Sequence, residues 1–342
     1  MRALYIRKPL EAEVGELEAP GLGPGQVLLR VRFVGMCGSD LSSYRGKNPL
    51  VSYPRIPGHE IAATIESVGE GVPDKFQPGL AVTLSPYTAC GKCASCHRGR
   101  PNACKNNQTL GVHCDGGLRP LFTVPAEKLH PSPRLSDSQN ALVETLAIGC
   151  HAIDRSRATA GETVLVIGAG PIGLSAIEFA KLSGARVIVM DMVRSRLDFV
   201  RDRMGVADTV VAQGIATDEG VIATLTDGRM ADAVIDATGS AASMSSSLAL
   251  CSFGGRLVYV GITQGEITFP HAPLVHCREL SILASRNALP KDFSRIIGLI
   301  ESGKIDTQPW ITHHAAFADT IRVFPSLLEP ASGVIKAVVD MP

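Results

Sequence analysis

The stretch TVLVIGAGPIGLSAIEFAKLSG, residues 163–184, predicts the fold of the middle of the chain. TVLVI is a short apolar run of the kind that forms a strand buried on both faces of a parallel sheet. A glycine-rich turn follows it, and PIGLSAIEFAKLSG then shows helical spacing with a glycine at its end. The stretch therefore predicts a strand, a tight turn and a helix in direct succession.

The same alternation continues after this unit. Further strand-like and helix-like runs follow in turn, namely RVIVMD, RSRLDFVRDRMG, DTVVA, DAVIDATG, MSSSLALCSFGG and RLVYVGI. Strands that alternate with helices are typical of a doubly wound parallel sheet. We assign this α/β domain to residues 146–277.

The sequence before this domain has a different character. It is rich in glycine and proline, and β-like runs such as QVLLRVRFVGMC and EIAATIESVGEGV are separated by turns such as GLGPGQ. Residues 1–145 therefore read as a mostly-β domain. The runs LSILAS and PKDFSRIIGLIESGKI follow the α/β domain, and we expect residues 278–342 to return to the first domain.

Composition narrows the class of protein. The chain has 342 residues, 33 Lys and Arg against 33 Asp and Glu, and therefore a formal net charge of zero. A nucleic-acid partner calls for a basic surface, which this balance does not favour. The N-terminus lacks an apolar signal region, and no apolar run reaches the roughly 18 residues of a membrane span. We expect a soluble cytoplasmic protein with neither nucleic acid nor membrane as a partner.

The glycine-rich turn is a candidate dinucleotide site. Gly168, Gly170 and Gly173 form GAGPIG between the predicted strand and helix. Glycines there let the backbone turn tightly and approach a pyrophosphate, which the helix N-terminus then binds. Because a lone motif of this kind is weak evidence, a glycine-rich turn in a non-binding domain remains the alternative.

The end of the next predicted strand bears on the choice of cofactor. Asp191 can accept hydrogen bonds from both ribose hydroxyls of NAD, and its charge would repel the additional phosphate of NADP. Arg194 and Arg196 lie close by in sequence and could favour NADP, but on a helix they can simply face solvent. We therefore favour NAD.

Four cysteines lie close together in CGKCASCHRGRPNAC, residues 90–104. Four thiolates at this spacing can wrap one tetrahedral ion and leave no position open for a substrate. The alternatives are a disulfide, an iron–sulfur cluster and a zinc ribbon that binds nucleic acid. Because the chain has no export signal and no basic field, structural zinc is the favoured interpretation. Its ligands would be Cys90, Cys93, Cys96 and Cys104.

A second set of metal-ligand residue types is spread over three segments. GMCGSD contains Cys37, Ser39 and Asp40, RIPGHE contains His59 and Glu60, and LVETLA contains Glu144. Cysteine, histidine and carboxylate are the ligands of a catalytic zinc, which keeps one position open. Spacing alone does not separate this reading from a structural Cys–His pair.

The motifs GMCGSD, PGHE, the four-cysteine run and GAGPIG, in this order, resemble the zinc-dependent medium-chain alcohol/polyol dehydrogenases. The resemblance covers essentially the whole chain. It implies a GroES-like mostly-β catalytic domain split around a Rossmann domain, with one catalytic zinc, one structural zinc and NAD. It also implies roles for the second set of residues. Cys37, His59 and Glu60 would be zinc ligands, Glu144 a fourth ligand or water partner, Asp40 the residue that orients His59, and Ser39 a proton relay.

The resemblance extends to other candidate residues. The cofactor-binding candidates are Gly168, Gly170, Pro171, Ile172, Gly173, Asp191, Arg196, Thr238 and Gly261. The substrate-binding candidates are Tyr44, His113 and Arg286, with an arginine suited to a substrate carboxylate. Two departures from the family pattern affect the proton exit and the substrate loop. Ser42 stands where many relatives have a histidine, and GGLRPLF replaces the common GGFAEY.

SYRGKNPLVSYPRIPGHE, LGVHCDGG and SRNALPKDFSRII resemble the bacterial sugar-acid branch, such as L-galactonate or L-idonate 5-dehydrogenases. The expected reaction is hydride transfer to NAD from a secondary hydroxyl of a hexonate or a polyol. The alternatives are a threonine or simple-alcohol dehydrogenase and a non-catalytic NAD-sensing or structural protein. The resemblance also suggests a homotetramer or homodimer that extends a sheet through the edge near RLVYVGI.

Overall fold

A computed structural model describes residues 1–329 and 332–342. The strands of these residues are β1 (Arg2–Lys8), β2 (Glu11–Glu16), β3 (Gln26–Met36), β4 (Glu60–Val68), β5 (Ala81–Leu84), β6 (Tyr87–Thr88), β7 (Gln108–Thr109), β8 (Leu121–Pro125), β9 (Leu129–Pro131), β10 (Thr163–Ile167), β11 (Arg186–Asp191), β12 (Asp208–Val211), β13 (Ala231–Asp236), β14 (Cys251–Tyr259), β15 (Ser281–Ala284), β16 (Ile311–Ala316) and β17 (Lys336–Asp340).

The α-helices of the same residues are α1 (Gly38–Tyr44), α2 (Ala94–His97), α3 (Asp137–Ser156), α4 (Pro171–Leu182), α5 (Arg194–Met204), α6 (Ile215–Leu225), α7 (Ala241–Ser246), α8 (Pro290–Glu301) and α9 (Thr320–Ser326). Short 3₁₀ turns lie at Pro101–Ala103, Ala126–Lys128, Ser247–Leu250, Gln308–Trp310 and Phe317–Asp319, and a π-helical turn at His271–His276. No helix of the described ranges is both long and apolar enough to cross a bilayer.

The chain divides into two compact units. The first comprises Met1–Glu144 together with Leu289–Pro342, and the second comprises Thr145–Ala288. The sequence analysis placed the return to the first domain at residue 278, whereas the second unit extends to Ala288 because β15 adds to its sheet.

The first unit is built on a mostly antiparallel sheet. Its strand order is β16-β17-β3-β4-β5-β9, with β8 paired to β3, and only β16 and β17 run parallel to each other. β3 alternates between buried and less buried residues along most of its length, as expected of a strand with one face on a core. The core of this unit includes Val31, Ile61 and Phe122, all at most 1% exposed. β17 brings the C-terminal segment back beside β3, at the centre of the sheet.

The second unit contains a six-stranded parallel sheet with the order β12-β11-β10-β13-β14-β15. From β10 the chain first adds β11 and β12 on one side and then β13, β14 and β15 on the other. Because parallel crossovers are right-handed, this reversal places helices on both faces and opens a crevice at the carboxyl ends of β10 and β13. The predicted α/β fold class, a GroES-like domain with a Rossmann doubly wound sheet, is confirmed.

Two details of the sequence analysis are corrected in this sheet. LSILAS contains β15, which pairs in parallel with β14 and does not return to the first unit. RLVYVGI contributes to β14, which has neighbours on both sides and is therefore not an edge strand. Both errors have the same cause. β15, which lies beside β14, has only four residues, and so short a strand carries too little pattern to assign it to a sheet.

Candidate functional site

A thiol, an imidazole and a carboxylate meet in the first unit. Cys37, His59 and Glu60 each offer one ligand atom, and these atoms lie within 4.8 Å of one another. Cys37 caps the start of α1, while His59 and Glu60 stand at the start of β4. His59 is 5% exposed and Glu60 is fully buried. The pairing of β3 with β4 brings the ends of the two segments together, with Gly35 opposite Glu60.

The donor set fits a zinc ion. Cysteine, histidine and carboxylate are zinc ligands, and a three-ligand set leaves a position for substrate. The Nδ1 atom of His59 is buried and has no hydrogen-bond partner among the described residues. This nitrogen is the one on the Asp40 side of the ring, so the fit to zinc rests on the chemistry of the three donors themselves.

Asp40 braces this cluster through the backbone. Its Oδ2 accepts a hydrogen bond from the N–H of Cys37 at 3.0 Å, and its Oδ1 accepts one from the N–H of Gly58 at 3.1 Å. The same Oδ1 is 3.8 Å from His59 Nδ1, which is beyond hydrogen-bond distance. The sequence analysis expected Asp40 to orient the His59 ring directly. The carboxylate faces the ring at ion-pair distance, and its two hydrogen bonds also fix the backbone next to two of the three ligands.

Glu144 lies close to the cluster but is not one of the three residues whose ligand atoms meet. It is 3% exposed, and the hydroxyl of Tyr87 donates a hydrogen bond to its Oε1. Burial raises the pKa of the Glu144 carboxyl, and burial together with Glu144 holds the pKa of the Tyr87 hydroxyl well above its usual range. Ser39 also lies in this region, next to Asp40 on α1, and its buried Oγ has no partner among the described residues.

Lys336 is a further residue of this cluster, and the sequence analysis missed it. Its Nζ donates to both carboxylate oxygens of Glu60, at 2.6 and 2.7 Å, and both side chains are 1% exposed. Burial by itself lowers the pKa of Lys336, but Glu60 and its other anionic neighbours outweigh burial and leave that pKa raised. A single lysine inside the apolar run GVIKAVVD was the signal that sequence reasoning could have used.

The four cysteines of residues 90–104 also converge in the first unit. Their sulfurs lie within 4.8 Å of one another, with 3.5 Å between Cys90 and Cys104, 3.5 Å between Cys93 and Cys96, and 3.8 Å between Cys93 and Cys104. Sulfurs about 2.3 Å from one tetrahedral ion would be about 3.8 Å apart, whereas a disulfide needs about 2.05 Å. The cluster therefore fits a structural zinc site.

In the second unit, the glycine-rich turn has the form that a pyrophosphate requires. Gly168 has a φ of +95°, and a Cβ on Gly173 would lie 1.7 Å from the carbonyl oxygen of Gly168. A Cβ on Gly170 would meet no atom within 4 Å. Thus two glycines are needed for the turn and its packing, while Gly170 leaves open space at the start of α4, beside Pro171 and Ile172.

The other cofactor candidates lie at the carboxyl ends of neighbouring strands. Asp191 ends β11, is 8% exposed and accepts hydrogen bonds from the N–H groups of Ala169 at 2.6 Å and Val193 at 2.7 Å. Arg196 is 4.0 Å from the Asp191 carboxylate. Thr238 and Gly261 follow β13 and β14. These residues therefore surround the crevice where the strand order reverses.

Buried Asp236, which the sequence analysis did not select, joins the ends of β13 and β14. Its carboxylate accepts hydrogen bonds from the N–H and hydroxyl of Thr238, at 3.0 and 2.6 Å, and from the hydroxyl of Ser243 at 2.7 Å. Its carbonyl oxygen accepts a hydrogen bond from Gly261.

The three substrate candidates lie in different surroundings. Tyr44 is 9% exposed, packs on Phe324 with ring centroids 5.2 Å apart, and donates its hydroxyl to the carbonyl of Leu10. We therefore withdraw it as a substrate contact, because its polar atom is already used in the core. His113 is half-buried, and its Nδ1 accepts a hydrogen bond from the N–H of Thr109. Arg286 is exposed and belongs to the second unit.

Comparisons with known proteins agree with this architecture. Residues 23–134 match a family model described as an alcohol dehydrogenase GroES-like domain, and residues 171–302 match one described as a zinc-binding dehydrogenase. L-galactonate-5-dehydrogenase of Escherichia coli K12 is 35% identical over 340 residues, which cover 99% of this chain and 98% of that protein. The chain belongs to the zinc-binding alcohol dehydrogenase family.

Two further relatives of this zinc-binding alcohol dehydrogenase show the range of the family. Sorbitol dehydrogenase of Bacillus subtilis is 32% identical over 350 residues, which cover 99% of this chain and 97% of that protein. A crystal structure described as short chain alcohol dehydrogenase RspB of Escherichia coli CFT073 contains NADH. It is 30% identical, has a TM-score of 0.91 and covers 99% of both chains. The family and its zinc-dependent oxidoreductase class, both predicted from the motifs, are confirmed.

Proposed function

We propose that the chain is an NAD-dependent zinc dehydrogenase that oxidises a secondary hydroxyl of a sugar acid, such as L-galactonate or L-idonate, or of a polyol. The observation that carries this proposal is that the Cys37 thiol meets the buried His59 imidazole and Glu60 carboxylate, with the three ligand atoms within 4.8 Å of one another. Zinc bound by these residues would act as a Lewis acid and make the substrate hydroxyl easier to deprotonate.

The surrounding residues have roles that follow from their contacts. Asp40 holds the backbone of Cys37 and Gly58, which keeps two ligands at fixed positions. Ser39 offers a buried hydroxyl without a partner among the described residues, and we propose that its Oγ accepts the proton of the substrate hydroxyl while its own proton passes on toward the nicotinamide ribose and solvent. Burial of His59 and Glu60 keeps bulk water away from the ligands, which strengthens electrostatic interactions there.

The second unit supports NAD as the hydride acceptor. Gly170 leaves space for the pyrophosphate at the N-terminus of α4, where N–H groups and the helix dipole favour an anion. Asp191 is held by two backbone N–H groups and keeps further acceptor positions for the ribose hydroxyls. Its charge disfavours the 2′-phosphate of NADP, and Arg196 is placed near Asp191 itself. The NADH-bound RspB structure is consistent with this choice.

The substrate class rests on resemblance and on chemistry. The relative named L-galactonate-5-dehydrogenase supports a hexonate, and the relative named sorbitol dehydrogenase supports a neutral polyol. We propose His113 as a hydroxyl contact and Arg286 as the partner of a substrate carboxylate, because a guanidinium matches two oxygens. We also propose a small-molecule substrate without a nucleic-acid or membrane partner and a homodimeric or homotetrameric assembly. Light scattering that shows a monomer at working concentration would contradict the assembly.

The test is NADH formation by the zinc-loaded protein with a panel of hexonates, neutral polyols, L-threonine and ethanol. We expect turnover with one hexonate, and we expect Arg286→Ala to reduce kcat/KM for the hexonate far more than for a neutral polyol. Equal losses for both substrates would remove the carboxylate role of Arg286. The absence of turnover with every compound, although zinc and NAD are both bound, would contradict the proposed reaction and favour a sensing protein.

A further inference from the structure

The Glu60–Lys336 pair links the C-terminal strand to the candidate zinc centre. Lys336 is the first residue of β17, and its neighbour Ala337 pairs with Met36 of β3, directly before Cys37. Lys336 Nζ donates to both oxygens of Glu60 and lies 3.4 Å from the carbonyl oxygen of Met36. A fully buried lysine with three acceptors is held in one place, because any other position would leave its charge without a partner.

The sheet also leaves a specific space for the carboxylate. A Cβ on Gly35 would lie 2.0 Å from Glu60 Oε2 and 2.9 Å from Glu60 Cβ. Only a residue without a side chain fits there while Glu60 keeps its present position. Glu60 is therefore held from two sides, by close contact with Gly35 and by the ion pair with Lys336.

The charges around the cluster show what this ion pair does. Three buried carboxylates, those of Asp40, Glu60 and Glu144, lie in this region together with the Cys37 thiol. A carboxylate engaged by a lysine on both oxygens is a weaker ligand for a cation, because the lysine competes for the same lone pairs and repels a second positive charge.

We propose that Lys336 is a positioning residue that makes Glu60 a weak, displaceable zinc ligand, so that the substrate hydroxyl can replace it on the ion. This inference rests on the proposed function, since it takes the cluster of Cys37, His59 and Glu60 to be the catalytic zinc centre. Without the lysine charge, Glu60 binds the cation with its full charge, and the substrate hydroxyl replaces it less readily.

The proposal predicts an unusual combination of effects for Lys336→Met. We expect the variant to bind zinc at this centre at least about tenfold more tightly, because a nearby positive charge and a competitor for Glu60 have been removed. We expect kcat/KM to fall at the same time, since substrate must displace a stronger ligand. Lys336→Arg, which keeps the charge, should bind zinc like the unchanged chain.

The measurement is competition for zinc with a chelator, on full-length protein in which the four-cysteine site stays loaded. The matched control is Lys128→Met, which removes another buried lysine whose Nζ donates to Thr88 and not to the cluster. We expect no change in zinc affinity for this control. Unchanged or weaker zinc binding in Lys336→Met would overturn the proposal, because a merely structural lysine has no reason to oppose metal binding.

A double-mutant cycle tests whether Lys336 acts through Glu60. In a Glu60→Gln background, Lys336→Met should tighten zinc binding much less than in the unchanged chain, because only the removal of a nearby positive charge remains. The same gain in both backgrounds would overturn the role of Glu60. Should Lys336→Met fail to fold, Lys336→Gln removes the charge and keeps a donor, and it must also tighten zinc binding. A failure of the proposed function gives a different result. In that case the unchanged chain and Cys37→Ser would bind the same amount of zinc.

Discussion

The two cysteine-containing clusters of the first unit are made in opposite ways. The cluster of Cys90, Cys93, Cys96 and Cys104 takes four identical ligands from a single stretch of 15 residues. The Cys37–His59–Glu60 cluster takes different ligands from the start of α1 and the start of β4, and β17 supplies the lysine that holds one of them. A site made by one short segment is local, whereas the other exists only when the sheet has formed.

The two clusters also differ in their surroundings, because backbone groups support the first and ionisable side chains support the second. N–H groups of Cys90 and Asn106 donate to the Cys104 sulfur, each at 3.3 Å, so the backbone itself stabilises thiolate charge. The second cluster is surrounded by buried ionisable side chains that include Asp40 and Lys336. Four thiolates leave no position open and serve stability, whereas a three-ligand set with tuned charges can accept a substrate.

The largest expected effect is a loss of activity, with little change in stability, when a ligand of the Cys37–His59–Glu60 cluster is replaced. Cys37→Ser should lower kcat/KM by at least about 10⁴-fold, or 5–6 kcal/mol, because Lewis-acid catalysis is worth several kcal/mol. Zinc content should fall by one ion per chain while the urea unfolding midpoint changes little. Assays of NADH formation, metal analysis and urea titration check this. A variant that keeps both zinc ions, or unfolds much earlier, would remove the contrast between the clusters.

A substitution in the four-cysteine cluster should instead lower stability and leave activity largely intact. Cys93→Ser removes one ligand of the four-cysteine site, and structural zinc contributes on the order of 10 kcal/mol to small domains. We expect a loss of about 4 kcal/mol in the free energy of unfolding, measured by urea titration. The protein that remains folded should keep kcat/KM within about tenfold. A loss of activity with unchanged stability would show that this cluster takes part in the reaction.

The smallest of the three effects tests the positioning of Glu60. In Gly35→Ala the new Cβ would lie 2.0 Å from Glu60 Oε2, so the carboxylate must move. We expect kcat/KM to fall about 10²-fold, the typical cost of a misplacement of about 1 Å. The matched control is Gly38→Ala, where a Cβ meets no atom within 4 Å and activity should be retained. Equal effects of the two substitutions would argue against a special role for the space at Gly35.

Much of the fold could be predicted from local patterns. The stretch 163–184 contains a buried apolar run, a glycine-rich turn and helical spacing, and each of these is a property of neighbouring residues. The four-cysteine site was predictable for the same reason. β15 was assigned wrongly, because four residues do not indicate which sheet they join.

The Cys37–His59–Glu60 cluster was predicted from its motifs and their resemblance to a family, but not all of the residues that support it. Lys336 and Tyr87 lie far from Cys37 in sequence, and each looks ordinary in its own segment. Gly35 opens the motif GMCGSD, but the motif does not show that this glycine faces Glu60. Tyr44 shows the reverse error, because a tyrosine near a motif was taken as a contact although its hydroxyl is used in the core.

The sequence by itself determined the α/β class, the order of the units, the dinucleotide turn and the four-cysteine site, because these depend on residues that are close along the chain. Only the tertiary structure decided that Lys336 meets Glu60, that Asp40 also braces the backbone of Cys37 and Gly58, and that β14 is an interior strand. Such contacts depend on strand register and sheet order, which are set by packing across long sequence separations.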